Sequence, residues 1–170
     1  MSKSLREHIM DAAHAMPQGR GYNWPAPGGG CFADLKLGEA TILRAGKGTY
    51  CCGVTLEMLW RGWERSGATP FMRGITVEQA RAMQRAWFCI GTRKGPLDAL
   101  LPLGLGEAVQ TPQAGDFAQL WRRNGSGHSV LVLSVGHGRI SYLSTQRSTK
   151  GFGSVVEPLP DETYFVRPVP

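Results

Sequence analysis

Several features that mark common protein classes are missing from this chain of 170 residues. No apolar run approaches the roughly 20 residues that a membrane-spanning helix needs. Residues 1–7 have no apolar stretch behind their charges, so they do not resemble a Sec signal peptide. We therefore expect a soluble protein that is made in the cytoplasm, has no membrane partner, and needs a non-Sec secretion route to act elsewhere.

Metal-ligating patterns are also absent. The cysteines form no CxxC pair, and the histidines have no ligand spacing against them. We expect no metal site and no cofactor. Adjacent cysteines would form only a strained disulfide, so at least one thiol of the neighbouring pair should be free. The residues concerned are Cys31, Cys51, Cys52 and Cys89, and His8, His14, His128 and His137.

The net charge of +6 suits an anionic partner, such as nucleic acid, a membrane surface or a cell wall. A solvated basic surface explains the same charge equally well. The basic residues are scattered and no nucleic-acid motif accompanies them, so we do not expect a nucleic-acid partner. Arg73, Arg81 and Arg85 are spaced to share one helix face, which leaves a non-catalytic basic binding module as an alternative function.

Helices are predicted in the first half of the chain. Ser4–Met16 begins with a capping box formed by Ser4 and Glu7. A second helix, from about Cys52 to Ser66, has an apolar stripe at helical spacing. A third begins at Thr76, with an apolar face that extends to Ile90.

Strands dominate the second half. Alternating or apolar segments predict strands at 116–121, 129–135, 139–143 and 164–169. Residues 1–170 therefore read as one α+β domain, with N-terminal helices packed on one face of a C-terminal antiparallel sheet.

Two short motifs carry the chemistry. Cys51 and Cys52 follow a glycine-punctuated loop and precede the second helix, where free N–H groups and the helix dipole stabilise a thiolate. His128 opens an apolar strand, which would hold its imidazole on a rigid element. A cysteine nucleophile needs a thiol and an imidazole of this kind, although the position alone does not decide which cysteine reacts.

This order, a cysteine at a helix start and then a histidine on a strand, resembles papain-like peptidases, and within them the NlpC/P60 and CHAP cell-wall hydrolases. Residues 51–55, Cys-Cys-Gly-Val-Thr, resemble the family's nucleophile motif, with Cys52 in the usual serine position. The resemblance implies that Cys51 is the nucleophile, with Cys52 as the alternative, and that His128 is the base. Gly115-Asp116-Phe117 resembles the element before the histidine strand. The likeness covers residues 45–150.

A third residue commonly orients the imidazole. If residues 136–138 form a three-residue hairpin loop, Val135 pairs with Arg139 and His128 faces Gln146. Gln146 is therefore the predicted orienting residue and Ser144 the alternative.

Two aromatic residues are the predicted substrate-binding groups. The irregular loop 17–31 is expected to form one wall of a substrate groove through Trp24. Tyr50 would shape the turn that exposes the sulfur.

The resemblance implies a cysteine amidohydrolase that cleaves peptide bonds, with peptidoglycan stem peptides as substrate. Small basic chains without a signal peptide also resemble secreted peptidoglycan-cleaving effectors, which would be neutralised by an inhibitor or immunity protein. The same Cys–His pair would serve an acyltransferase or a deamidase.

Overall fold

The computed structural model describes residues 2–24 and 28–170, and its architecture is α+β, as the sequence predicts. The helices are α1 (Leu5–His14), α2 (Cys51–Ser66), α3 (Val77–Trp87) and α4 (Pro96–Leu100), with 3₁₀ turns at Pro70–Arg73 and Leu101–Leu103. The strands are β1 (Gly19–Arg20), β2 (Leu35–Leu37), β3 (Ala40–Leu43), β4 (Gly106–Ala108), β5 (Phe117–Trp121), β6 (Gly127–Gly136), β7 (Arg139–Gln146), β8 (Gly151–Pro158) and β9 (Glu162–Pro168).

Seven of these strands form one antiparallel sheet in the order β1-β8-β7-β6-β5-β9-β4. Strands β2 and β3 pair with each other in a separate hairpin. The central position of β6 gives it a hydrogen-bonded neighbour on each side, β5 and β7. The first residues of β6, including His128, pair with β5, and the pairing with β7 begins at Leu131.

The helices cover one face of this sheet. Side chains alternate along each strand, so every strand contributes residues to both faces. Phe117, Leu131 and Leu143 point toward the helices and join the apolar faces of α1, α2 and α3 in the larger core. The opposite face carries a second, smaller apolar cluster: Ala118, Leu120, Val130, Val132, Ile140 and Tyr142.

Capping residues begin α1 and α3 where the sequence predicts. The Ser4 side chain accepts from the Glu7 N–H while the Glu7 carboxylate accepts from the Ser4 N–H, and Thr76 and Gln79 repeat this arrangement at α3. The predicted apolar face of α3 is wrong at Ile90. Helix α3 ends at Trp87, Cys89 adopts a left-handed φ of 57°, and Ile90 is exposed.

The β6–β7 hairpin differs from the predicted loop but regains the predicted register. Gly136 pairs with Arg139, so the turn has two residues and not three. A bulge between Val132 and Ser134 then shifts the pairing by one residue, so that Leu131 faces Leu143. The predicted register is recovered at Leu131 and Val132, because the bulge offsets the shorter turn.

The sequence also did not predict β8, the short edge strands β1 and β4, and the separate β2–β3 hairpin. Strand β8 pairs with β7 along its whole length, and its outer half alternates between exposed and half-buried residues. Within the described residues, no helix has the length and apolar character required to cross a membrane.

Candidate active site

Cys51 is the first residue of α2, one position earlier than the predicted helix start. The preceding residue, Tyr50, is extended and its side chain makes no capping hydrogen bond. The first turn of α2 contains no acidic residue. Its N–H groups therefore face the cysteine with no side-chain cap, and the positive end of the helix dipole acts on the Cys51 sulfur.

A glycine-rich loop packs closely against this helix start. A Cβ atom at Gly53 would collide with the carbonyl oxygen of Gly29, so only glycine fits in this position. The Tyr50 N–H donates to Gly30 O at 3.1 Å, and the Tyr50 hydroxyl donates to Gly28 O at 2.8 Å. These contacts fix the loop that precedes Cys51.

Two threonines tie this loop to the sheet. The hydroxyls of Thr49 and Thr145 are 2.7 Å apart and buried, which joins the residue before Tyr50 to the end of β7. The Thr49 hydroxyl is also 2.8 Å from the carbonyl oxygen of Gly21. The cysteine therefore approaches the sheet at the end where β7 finishes.

Thr55 connects α2 to the histidine strand. Its buried hydroxyl lies 2.8 Å from both the Cys51 carbonyl oxygen and the Ser129 hydroxyl. The Trp87 indole N–H donates to the Thr55 hydroxyl oxygen at 3.0 Å, which connects α3 to α2 and β6 as well. The sequence analysis named Thr55 only as a position of the motif. It did not predict these partners, because they lie far from Thr55 along the chain.

His128 is buried at the second position of β6, as the sequence predicts for a strand opening. The structure brings His128 and Cys51 together. A hydrogen bond from the Cys52 thiol, then the proximity and charge of the His128 imidazole, and then the Ser129 backbone N–H hold the pKa of Cys51 well below its usual value, although burial opposes them. The site favours a thiolate at Cys51.

The pKa of the second cysteine, Cys52, is shifted in the opposite direction. The sulfurs of Cys51 and Cys52 are 3.7 Å apart, and the shared hydrogen bond raises the pKa of Cys52, as does burial. The two pKa shifts favour the negative charge on Cys51 and the proton on Cys52. This asymmetry supports Cys51, and not Cys52, as the nucleophile.

Gln146 and Ser144, the predicted orienting residues, have other partners. The Gln146 side-chain oxygen accepts from the Tyr142 hydroxyl at 2.9 Å, and its amide nitrogen donates to Ser148. The Ser144 hydroxyl donates to Ser129 O at 2.7 Å. Among the described residues, the buried Nε2 atom of His128 has no hydrogen-bond partner. Neither predicted contact with His128 is present.

Tyr142 contacts the imidazole, and sequence reasoning did not identify it. Its ring packs at 64° to the His128 ring. Arg122 donates to its hydroxyl at 3.3 Å and makes a bidentate contact with Glu157. The predicted pairing of β6 and β7 could have indicated it, because Tyr142 lies on the same strand face as Gln146, the residue predicted to contact His128.

A cavity of about 330 Å³ opens beside the cysteines. Trp24, the residue predicted to lie in a groove wall, is one of its lining residues. Tyr50 is buried behind Trp24 and Phe88 and is not part of the lining, so it supports the wall from behind. Cys89, which follows α3, also lines the cavity. The full lining is Tyr22, Trp24, Cys51, Cys52, Phe88, Cys89, Gln119, Trp121, Ser126 and Gly127.

The remaining candidate residues lie apart from this cavity. His14 and His137 are exposed and His8 is half-buried on α1. Asp116 is fully buried and pairs with Arg167 at 2.8 Å, so it fixes the start of β5 against β9. In the described part of the chain, no group of three or more His, Cys, Asp or Glu side chains is placed to hold a metal ion.

No protein-family model matches the chain, and searches of curated proteins and of solved structures find no match. The chemistry of the site therefore has to be argued from its own geometry.

Proposed function

We propose that this protein is a cysteine amidohydrolase of papain-like, NlpC/P60 type, with Cys51 as nucleophile and His128 as general acid and base. One observation carries the proposal: the thiol at the uncapped start of α2 lies beside a buried imidazole, and its surroundings lower its pKa. A buried cysteine that only fills a core has its pKa raised, as for Cys31, where burial raises the pKa to about 12.

The proposed reaction has two steps. The Cys51 thiolate attacks the amide carbon and forms a C–S bond, and the oxyanion accepts hydrogen bonds from backbone N–H groups in the first turn of α2. The C–N bond breaks as the His128 imidazolium gives its proton to the departing amine. Water, deprotonated by His128, then attacks the thioester; the C–S bond breaks and the carboxylic acid product leaves.

The substrate proposed from the sequence resemblance is a peptide, in the first place the stem peptide of peptidoglycan. The net charge of +6 is compatible with an anionic wall. Such a role would require that the protein reaches the cell wall, and an inhibitor or immunity protein in the producing cell.

The test is digestion of purified peptidoglycan, with fragments identified by mass. The intact protein should release fragments with new amine and carboxyl ends, Cys51→Ala should release none, and Cys52→Ser should retain most of the activity. Full activity of Cys51→Ala would contradict the assignment. A parallel digestion with added glycine amide separates hydrolysis from acyl transfer, because transfer gives products heavier by the added amine.

Thiol reactivity separates the enzyme from a basic binding module. The proposal predicts that one cysteine, Cys51, reacts rapidly with iodoacetamide below neutral pH, because its thiolate persists there. A binding module has no reason to hold a reactive thiol, so uniformly slow alkylation of all four cysteines would favour that alternative.

A further inference from the structure

Three of the four cysteines of the chain lie around one cavity. Cys51, Cys52 and Cys89 line the cavity of about 330 Å³ together, and all three are free thiols. Cys31, the fourth, is buried in the larger core. The cavity is partly open to solvent, so a small oxidant can reach the three thiols that line it.

Two of these thiols are unusually close to each other. Cys51 and Cys52 are the first two residues of α2, and their sulfurs are 3.7 Å apart. Consecutive side chains on a helix point about 100° apart and do not normally face each other. Hydrolysis through a cysteine nucleophile needs only one thiol, so the closeness of the second calls for a separate explanation.

Cys51 is the thiol that a peroxide should oxidise first. Thiolates, and not thiols, react with peroxides, and the surroundings of Cys51 hold its pKa well below the usual value. Burial has the opposite effect on two other cysteines, since it raises the pKa of Cys31 to about 12 and that of Cys89 to about 11. These two thiols remain protonated near neutral pH and should react slowly.

Oxidation of Cys51 would in turn activate Cys52. The pKa of Cys52 is raised by its hydrogen bond to Cys51, then by burial, and then by the negative charge of Cys51. Conversion of the Cys51 thiolate to a neutral sulfenic acid removes that charge. The pKa of Cys52 should therefore fall at the moment when an electrophilic sulfur appears beside it.

We propose that Cys51 and Cys52 form a peroxide-modification site, at which hydrogen peroxide converts the pair to a vicinal disulfide. The Cys51 thiolate attacks one peroxide oxygen: an S–O bond forms, the O–O bond breaks, and the departing hydroxide takes a proton from the His128 imidazolium. The Cys52 sulfur then attacks the Cys51 sulfur: an S–S bond forms, the S–O bond breaks, and hydroxide leaves with the Cys52 proton as water. The pair loses two electrons, and the peroxide is reduced to two waters.

The consequence for activity rests on the proposed function. In the disulfide the Cys51 sulfur has no free electron pair of a thiolate to attack an amide carbon, so hydrolysis stops. The modification site itself depends only on the two thiols and on the access of peroxide to them.

Strain at the start of α2 should make this disulfide easy to reduce. An S–S bond of about 2 Å requires the sulfurs to approach from 3.7 Å, and the Thr55 hydroxyl holds the Cys51 carbonyl oxygen at 2.8 Å. A strained disulfide is reduced more readily than a relaxed one, so a thiol should restore the pair. Without Cys52, the sulfenic acid would proceed to a sulfinic acid, which thiols do not reduce.

The test is treatment of the native protein with stoichiometric hydrogen peroxide, followed by iodoacetamide, trypsin and mass spectrometry. Both cysteines lie in one tryptic peptide, residues 48–61. This peptide should lose the mass of two hydrogen atoms and take up no iodoacetamide, and dithiothreitol should restore both alkylations. A sulfinic acid at Cys51 as the main product, or a crosslink from Cys51 to Cys89, would overturn the proposal.

Two variants provide the controls. Cys52→Ser keeps a small polar side chain but lacks the second sulfur, so dimedone should trap its sulfenic acid and dithiothreitol should recover little alkylation of Cys51. Cys89→Ser removes the other thiol of the cavity and should respond to peroxide as the native protein does. Equal recovery in Cys52→Ser and the native protein would contradict the site.

The same samples separate this proposal from the hydrolase function, because the masses of the thiols do not depend on amide cleavage. Disulfide formation in a protein that cleaves no peptidoglycan would contradict the hydrolase function and support the modification site. Cleavage by a protein that forms no disulfide would contradict the modification site alone.

Discussion

The imidazole of His128 packs edge-on against the phenol ring of Tyr142, with ring centroids 5.6 Å apart. The phenol is itself held, because its hydroxyl donates to Gln146 and accepts from Arg122. The contact with the His128 imidazole is thus made by a ring, and the predicted orienting residue Gln146 contacts the hydroxyl at the far end of that ring.

Replacing Tyr142 should separate the ring from its hydroxyl. In Tyr142→Leu the imidazole loses its packing partner and samples other rotamers, so we expect amide hydrolysis to fall roughly 10-fold to 100-fold. Tyr142→Phe keeps the ring and should retain most activity. The pH profile of Cys51 alkylation should change in the leucine variant and not in the phenylalanine variant, which a purely structural defect would not produce.

Gln146→Ala distinguishes the structure from the sequence-based prediction. Because its amide contacts Tyr142 and Ser148, and not His128, we expect an alkylation profile close to that of Tyr142→Phe. A loss as large as that of Tyr142→Leu would mean that Gln146 reaches the imidazole during the reaction, as the sequence suggested. Ser144→Ala, which removes the contact with Ser129 O, provides the parallel measurement for the other predicted residue.

Cys52 should tune the nucleophile through its S–H group. In Cys52→Ala the donor to Cys51 is lost, so the pKa of Cys51 should rise and its alkylation curve should move to higher pH. Cys52→Ser keeps a donor at the same place and should shift the curve less. Identical curves for the alanine variant and the native protein would show that Cys52 has no such role.

Thr55 should be important for stability as well as for alignment. Thr55→Val keeps the shape but leaves the Trp87 indole N–H and the Ser129 hydroxyl without this buried partner. We expect the free energy of unfolding, measured by urea titration, to fall by about 1 to 3 kcal/mol. Thr111→Val, at an exposed position, is the control and should change stability little. Equal stability of both variants would contradict the assigned role.

Glu57 should make stability depend on pH. Burial raises the pKa of this carboxyl, although the Phe32 N–H and Arg61 oppose the shift. The folded state therefore binds the proton more tightly than the unfolded chain, in which the pKa of this carboxyl is near its ordinary value of 4.5. The stabilising contribution is complete below that value and is lost as pH rises through the folded-state pKa. Unfolding titrations from pH 4 to 8 should show this loss in the native protein and its absence in Glu57→Gln, which does not titrate.

The parts of the structure that the sequence predicts are those set by neighbouring residues. Ser4 with Glu7 and Thr76 with Gln79 cap their helices through contacts three residues apart, so the pattern is visible in the chain itself. The position of Cys51 at a helix start and that of His128 at a strand opening follow from local periodicity in the same way. The α+β class follows from the order of these segments.

Contacts between segments that are distant in the chain were decided only by the tertiary structure. The bulge near Leu133 restores a register that the short turn alone would have displaced by one residue. The hydroxyl of Thr55 joins α2, α3 and β6, and the ring of Tyr142 takes the place beside His128 that the sequence assigned to Gln146. These contacts depend on how the packed elements meet in space, because side-chain partners across a fold are selected by shape and hydrogen-bond geometry and not by spacing along the chain.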